Sequence, residues 1–152
     1  MLLILAWLPA VLGAAPGEIP RAADLAADAR GMRRGQIPML VLYSQADCHW
    51  CEQVKRDHLL PLQRDPAARV ILRQIDLDSD APLVDFAGRL TTHRAYARGE
   101  GARVTPTLAV YGADGRRLAE PLVGVRIPDF YGSYIERLIA EGANQMTRHG
   151  KQ

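Results

Sequence analysis

The chain has 152 residues, of which 48% are hydrophobic and 24% are charged, with 19 Lys and Arg against 17 Asp and Glu. This composition is typical of one globular domain, and a net charge of +2 with mixed signs provides no basic stripe for a nucleic-acid backbone. The chain has only 2 Cys, which excludes a scaffold held together by several disulfides.

No ionisable side chain precedes Glu18, and the apolar run before it ends in the small residues Gly13, Ala14 and Ala15. This pattern predicts a signal peptide over residues 1–15, or else an uncleaved membrane anchor, and in either case the folded part lies outside the cytosol. We expect one domain over residues 20–143 and a flexible tail over residues 144–152.

Hydrophobic periodicity and turn signals divide the rest of the chain into alternating elements. The predicted elements are a helix at 22–34, a strand at 39–43, a helix at 48–63 that Pro61 kinks or ends, a strand at 70–77, a helix at 82–98 with Leu83, Phe86, Leu90 and Ala97 facing inward, hairpin strands at 107–111 and 117–123 around Asp114-Gly115, and a last helix that begins at Pro128-Asp129. This order predicts an α/β fold with a mixed central sheet flanked by helices on both faces.

Both cysteines fall in the motif Cys48-His49-Trp50-Cys51, which follows a predicted strand and begins a predicted helix. Because residues three apart share a face of a helix, the two sulfurs can approach and form a disulfide. The positive end of the helix favours a thiolate at Cys48, and burial keeps Cys51 a thiol. The motif therefore predicts a nucleophilic Cys48 and a resolving Cys51.

The motif and its surroundings resemble the thioredoxin-like family. The strand at 39–43, the CxxC motif, the strand that starts at Val70, the segment Val104-Thr105-Pro106-Thr107 and the hairpin at Asp114-Gly115 occur in that family's order. The resemblance implies a thioredoxin fold with a cis bond before Pro106, which lies against the CxxC motif. It also implies that the backbone of Thr105 pairs with a substrate peptide and that His49 and Trp50 tune the redox potential.

With the leader, the resemblance is strongest to periplasmic members, including those associated with sulfur oxidation. It implies a thiol–disulfide oxidoreductase that exchanges disulfides with protein or small thiol substrates. We expect a periplasmic reductase, although the same steps in reverse would make the protein a donor of disulfides. The redox-active disulfide Cys48–Cys51 needs no dissociable cofactor, and a membrane electron donor of the DsbD type would reduce it. We expect the protein to act as a monomer.

One departure from the family concerns proton transfer. Many members have a buried acid six residues before the first Cys, where it relays a proton for the resolving thiol, but Leu42 occupies that position here. Glu52 and Lys55 are candidates to replace it.

Several alternatives remain for the cysteine pair. It could be a purely structural disulfide, or half of a zinc site that needs two more ligands. His93 and His149 are available for this, whereas His58 lies too far along the helix. In a different class of function, the domain could bind Cu(I) or hold a client protein through the CxxC motif without turnover. Covalent haem attachment is excluded, because Glu52 stands where a His is required.

Overall fold

A computed structural model describes residues 17–149 of the chain. The signal peptide predicted over residues 1–15 and the last three residues of the predicted tail lie outside this range. The elements are α1 (Leu25–Gly35), β1 (Met39–Ser44), α2 (His49–Val54), a π-helical turn (Lys55–Leu59), α3 (Leu60–Arg64), β2 (Ile71–Asp76), β3 (Pro82–Val84), β4 (Leu90–Thr92), α4 (His93–Gly99), β5 (Thr107–Tyr111), β6 (Leu122–Val123), a 3-10 turn (Pro128–Phe130) and α5 (Tyr131–His149).

The main sheet has the strand order β2-β1-β5-β6. Strand β1 is parallel to β2 and antiparallel to β5, which is in turn antiparallel to β6. Alternate residues of β1 face opposite sides, so that Val41 and Tyr43 pack with α1 and α4, whereas Leu40 and Leu42 pack with α2 and α5. The predicted mixed sheet with helices on both faces is confirmed.

Helix α1 starts later than predicted because Asp24 caps it. The Asp24 side chain accepts a hydrogen bond from the Ala27 backbone N–H at 2.7 Å, as is usual for a carboxylate at a helix start. Leu25, Ala29 and Met32 are buried on one face of this helix.

The helix predicted over residues 48–63 contains a π-helical turn. The backbone N–H of Leu60 donates to the carbonyl of Lys55, five residues earlier. Pro61 is the cause, since it has no N–H to donate and its ring would clash with the carbonyl of Asp57 in a regular α-helix. The helical run therefore widens before Pro61 and continues through α3.

The single helix predicted over residues 82–98 is wrong in its first half. Strands β3 and β4 form an antiparallel hairpin there, and α4 begins only at His93. Leu83 and Ala97 are buried as expected, but Leu90 is 78% exposed at the start of β4. The apolar spacing of this segment fits a helix and a hairpin equally well, so local polar contacts decide between them.

The side chain of Asp85 makes those contacts. Its carboxylate accepts the backbone N–H groups of Ala87 and Arg89, both at 2.9 Å, and Gly88 adopts a positive φ of 79° in the turn. Burial alone raises the pKa of Asp85, but the hydrogen bonds from Arg89 and Ala87 outweigh it and lower the pKa below its ordinary value. The ionised side chain thus favours the turn over a helix.

The C-terminal part of the chain also differs from expectation. The hairpin at Gly112–Gly115 is present, but its second strand β6 has only two residues, Leu122 and Val123, besides an isolated bridge from Arg117 to Tyr111. Helix α5 extends to His149 and so includes residues 144–149, which we expected to form part of a flexible tail. None of the helices within residues 17–149 is both long and apolar enough to cross a membrane.

His93, which the sequence left open as a zinc ligand, is a structural residue of the core. Its Nδ1 accepts the backbone N–H of Asp76 at 3.0 Å, and its Nε2 lies 2.8 Å from the carbonyl oxygen of Ala22. These contacts require a neutral ring that donates from Nε2. Both ring nitrogens are therefore engaged inside the protein.

Candidate active site

Cys48 and Cys51 form a disulfide at the start of α2, with an S–S distance of 2.06 Å and a Cα–Cα distance of 5.2 Å. Cys48 is the N-cap residue, and its Sγ accepts the backbone N–H of Cys51 at 3.2 Å. Cys51 is 0% exposed, whereas Cys48 is only partly buried. A partner molecule can therefore reach the sulfur of Cys48 but not that of Cys51.

The two residues between the cysteines are exposed. Their rings meet edge to face with centroids 5.9 Å apart, and Trp50 remains 43% exposed. His49 and Trp50 thus form the rim of the disulfide. A partner that approaches Cys48 would meet this rim first.

Thr105 and Pro106 lie at the same end of the sheet as the disulfide. Tyr43 pairs with Thr107 in the register of β1 and β5, so Pro106 lies beside the end of β1 that leads into the CxxC motif. The Thr105–Pro106 peptide bond is cis, and the carbonyl of Pro106 accepts the backbone N–H of Gly124 at 2.8 Å. Pro106 is buried and Thr105 is half-buried.

Glu52 and Lys55, the two candidates for proton transfer, lie on α2 and at its end. Lys55 Nζ is 2.7 Å from Glu52 Oε1, with side chains that are 17% and 65% exposed respectively. Both line a cleft of about 410 Å³ that also contains Arg21 and Gln74. Leu42 is 1% exposed, so the family's usual position for an acid is occupied by an apolar side chain in the core.

The sequence analysis missed a buried polar cluster below α2. Gln74 Nε2 donates to Asp76 Oδ1 at 2.5 Å, and Arg21 Nε lies 3.1 Å from Asp76 Oδ2. Ser44 of β1 pairs with Asp76 in the register of β1 and β2. Two polar residues at alternate positions of the strand predicted at 70–77, Gln74 and Asp76, were the available signal.

A second buried polar cluster lies on the opposite face of the sheet. The hydroxyls of Tyr43 and Tyr111 are 2.6 Å apart, and Tyr111 donates to Glu100 Oε2 at 2.7 Å. Burial is the main reason that the pKa values of Tyr43, Tyr96 and Tyr111 are raised well above 10, and these hydroxyls stay protonated at neutral pH. Arg117 Nε lies 3.2 Å from Glu100, and its side chain is 35% exposed.

Comparison with known proteins identifies the family of the chain. Residues 25–132 match the family described as the thioredoxin-like domain. The chain belongs to this family. No curated protein matches the chain well enough to be counted as a relative.

Three solved structures illustrate the similarity of fold. Thioredoxin O2 from Arabidopsis thaliana is 18% identical, with a TM-score of 0.54 over 82% of this chain and 97% of that one. Mitochondrial thioredoxin 3 from Saccharomyces cerevisiae is 15% identical, with a TM-score of 0.55 over 81% of this chain and 94% of that one. Thioredoxin from Malassezia sympodialis is 15% identical, with a TM-score of 0.52 over 83% of this chain and 96% of that one.

The family and the geometry of the site together indicate disulfide exchange. The thioredoxin-like domain carries a CxxC disulfide with one accessible and one buried sulfur. Such a pair can exchange with another disulfide through a mixed-disulfide intermediate. The protein is a thiol–disulfide oxidoreductase of the thioredoxin-like family.

Proposed function

We propose that this protein is a periplasmic reductase that transfers electrons from the thiols of Cys48 and Cys51 to disulfides of protein or small thiol substrates. The observation that carries the proposal is the asymmetry of the pair, since Cys51 is 0% exposed and Cys48 is only partly buried. Cys48 is therefore the sulfur that a substrate meets, and Cys51 is the sulfur that ends the exchange.

The reaction begins with the reduced pair. The Cys48 thiolate attacks one sulfur of the substrate disulfide, a bond forms between them, and the other substrate sulfur leaves as a thiolate that takes up a proton. The backbone N–H of Cys51, which bonds to Cys48 Sγ at 3.2 Å, stabilises the thiolate. The Cys51 sulfur then attacks Cys48 Sγ, forms the internal disulfide and releases the second substrate thiol.

Residues around the pair would position the substrate and set the potential. The backbone of Thr105, next to Pro106, offers an edge to which an extended substrate peptide can pair. His49 and Trp50 are exposed and adjacent to the sulfurs, so they act on the relative stability of the disulfide and the dithiol. One pKa unit of difference at the nucleophile corresponds to about 1.4 kcal/mol, or about 30 mV for a two-electron couple.

The compartment and the electron donor are further parts of the proposal. The uncharged apolar leader over residues 1–15 supports export. A reductase that works outside the cytosol needs a membrane protein of the DsbD type to reduce Cys48–Cys51 again. The sulfur pair, the rim and Pro106 all belong to one chain, so we propose that a monomer is active.

Expression of the full chain in a Gram-negative bacterium tests both the compartment of the protein and the direction of electron transfer. We expect the protein in the osmotic-shock fraction, shortened at its N-terminus, with Cys48 and Cys51 mostly reduced when free thiols are alkylated. Deletion of the host's membrane reductase should convert the pair to the disulfide. Protein that remains in the cytosol would contradict export, and a pair that is fully oxidised in the normal host would contradict a reductase.

A further inference from the structure

Resolution of the mixed disulfide requires that Cys51 lose a proton. The thiolate is the nucleophile in disulfide exchange, but Cys51 is 0% exposed. An internal group must therefore accept the proton, and the buried leucine at position 42 cannot do so.

Unpaired buried oxygens identify the region where such a group lies. Within residues 17–149, three buried side-chain oxygens have no partner with hydrogen-bond geometry, namely Ser44 Oγ, Asp76 Oδ2 and Tyr131 Oη. Asp76 Oδ2 is paired with Arg21 only as an ion pair, at 3.1 Å from Nε. Ser44 and Asp76 are opposite each other in the register of β1 and β2. A buried polar oxygen without a hydrogen bond costs free energy and calls for an explanation, and here Ser44 Oγ lies beside a carboxylate oxygen that has only an ion-pair contact.

Both residues face the side of the sheet that α2 covers. Ser44 follows Leu42 at the two-residue spacing that keeps side chains on one face, and Leu42 packs in the same cluster as Val54 of α2. Asp76 lies four residues after Leu72 of that cluster along β2, twice this spacing, and so faces the same side. Cys51 lies three residues before Val54 on the buried face of α2, toward the end of the sheet that carries Ser44 and Asp76.

Asp76 differs from Glu52 and Lys55 in its burial. Asp76 is 5% exposed, and its Oδ1 accepts a hydrogen bond from Gln74 Nε2 at 2.5 Å. Glu52 and Lys55 form an ion pair with each other instead, and the Glu52 side chain is 65% exposed. Asp76 is thus the carboxylate that solvent does not screen.

Titratable groups from the N-terminal segment and from α4 lie next to Asp76. From the N-terminal segment, Arg21 Nε lies 3.1 Å from Oδ2, and from α4 the His93 ring accepts the backbone N–H of Asp76. Arg21 also lines the cleft between β2 and α2, together with four further charged residues, Glu18, Glu52, Lys55 and Arg56. Two neighbours of Asp76, Arg21 and Gln74, therefore lie between this cleft and the carboxylate.

We propose that Asp76 accepts the proton of the Cys51 thiol during resolution, an inference that rests on the proposed resolving role of Cys51. The S–H bond of Cys51 breaks and its proton passes to Asp76 Oδ2. The thiolate then forms a bond to Cys48 Sγ while the bond between Cys48 and the substrate sulfur breaks. The departing substrate thiolate takes up a proton, and Asp76 releases its own through the cleft.

Rapid mixing of the reduced protein with the aromatic disulfide dithiobis(nitrobenzoate) separates the two steps. The first coloured thiolate is released by attack of Cys48 and the second by resolution through Cys51. We expect Asp76→Asn to slow the second release at least about tenfold near neutral pH and to leave the first within about twofold, since a positioned base contributes about a hundredfold or more. The deficit should shrink as pH rises, because hydroxide then takes the proton.

Two further variants and the pH dependence of the wild-type rate make the test decisive. Asp28→Asn removes a carboxylate that pairs with Arg73 on the other face of β2, and it should leave the rates of both releases unchanged. Asp76→Glu keeps a carboxylate at position 76 and should retain most of the rate of the second release. If Asp76→Asn does not fold, the wild-type profile decides, because a rate of second release that falls tenfold per pH unit below neutrality would overturn the proposal.

The outcomes also separate this inference from the proposed function. A second release by Asp76→Asn that is as fast as in the wild type at every pH overturns the role of Asp76 alone. A wild-type protein that gives no second release overturns the resolving role of Cys51, and the role of Asp76 with it.

Discussion

Cys48→Ser is expected to abolish reduction of a protein disulfide, and Cys51→Ser to stop the reaction at the covalent complex with the substrate. Cys48 is the accessible sulfur at the N-cap of α2, so its loss removes the first bond-forming step. We expect the rate to fall by more than about a thousandfold, as in other enzymes that lose their nucleophile. Cys51→Ser keeps that step but removes the sulfur that would release the substrate.

The rate of insulin reduction in the presence of dithiothreitol measures the loss of activity in Cys48→Ser. Mass spectrometry without added reductant detects the covalent complex of Cys51→Ser with its substrate. Gln53→Ser places the same new side chain on the same helix without touching either sulfur, and it should retain the wild-type rate within about twofold. Cys48→Ser protein that still reduces insulin at a rate well above the uncatalysed reaction would rule out Cys48 as the nucleophile.

Gly142→Ala is expected to destabilise the protein, and Gly31→Ala to stabilise it slightly. A Cβ at Gly142 of α5 would lie 2.5 Å from Cγ2 and 3.2 Å from Cγ1 of Val110. Val110 is 0% exposed on β5, so it cannot move aside without disturbing the core. We expect a loss of about 1–3 kcal/mol in the free energy of unfolding, as is typical of overpacked cores.

Gly31 provides the matched control because it lies inside α1 and a Cβ there would have no atom within 4 Å. Alanine at such a position stabilises a helix by up to about 1 kcal/mol, because the unfolded chain loses less conformational entropy. Urea unfolding of both variants beside the wild type measures the difference. Equal or greater stability of Gly142→Ala would show that α5 does not pack closely on β5.

The parts of the fold that local patterns specify were predictable. Residues 39–43 form a short uninterrupted apolar run, which is typical of a buried strand, and they are five of the six residues of β1. Asp114 and Gly115 mark the turn between β5 and β6, where Gly115 adopts a positive φ of 79°. The CxxC motif after β1 predicted the position of the disulfide, because its spacing matches one helical turn.

The errors in the prediction arise from polar contacts that the periodicity of apolar residues does not reveal. Between residues 82 and 98, Leu83 and Ala97 are buried as a helix would require, yet Asp85 folds the chain back through hydrogen bonds to Ala87 and Arg89. Asp76 was missed for a related reason. Its burial depends on the register with Ser44 and on a neighbour from the N-terminal segment, Arg21, which only the tertiary structure brings together.

The equilibrium reduction potential of the Cys48–Cys51 pair is the measurement that best tests the proposed reductase function. The protein should be equilibrated against a series of glutathione and dithiothreitol buffers, with the thiols counted after alkylation. We predict one reversible two-electron transition near about −270 mV, in the range of reductants. A transition near about −120 mV would contradict a reductase, since disulfide donors lie there, and the absence of any reversible transition would contradict a redox function for the pair.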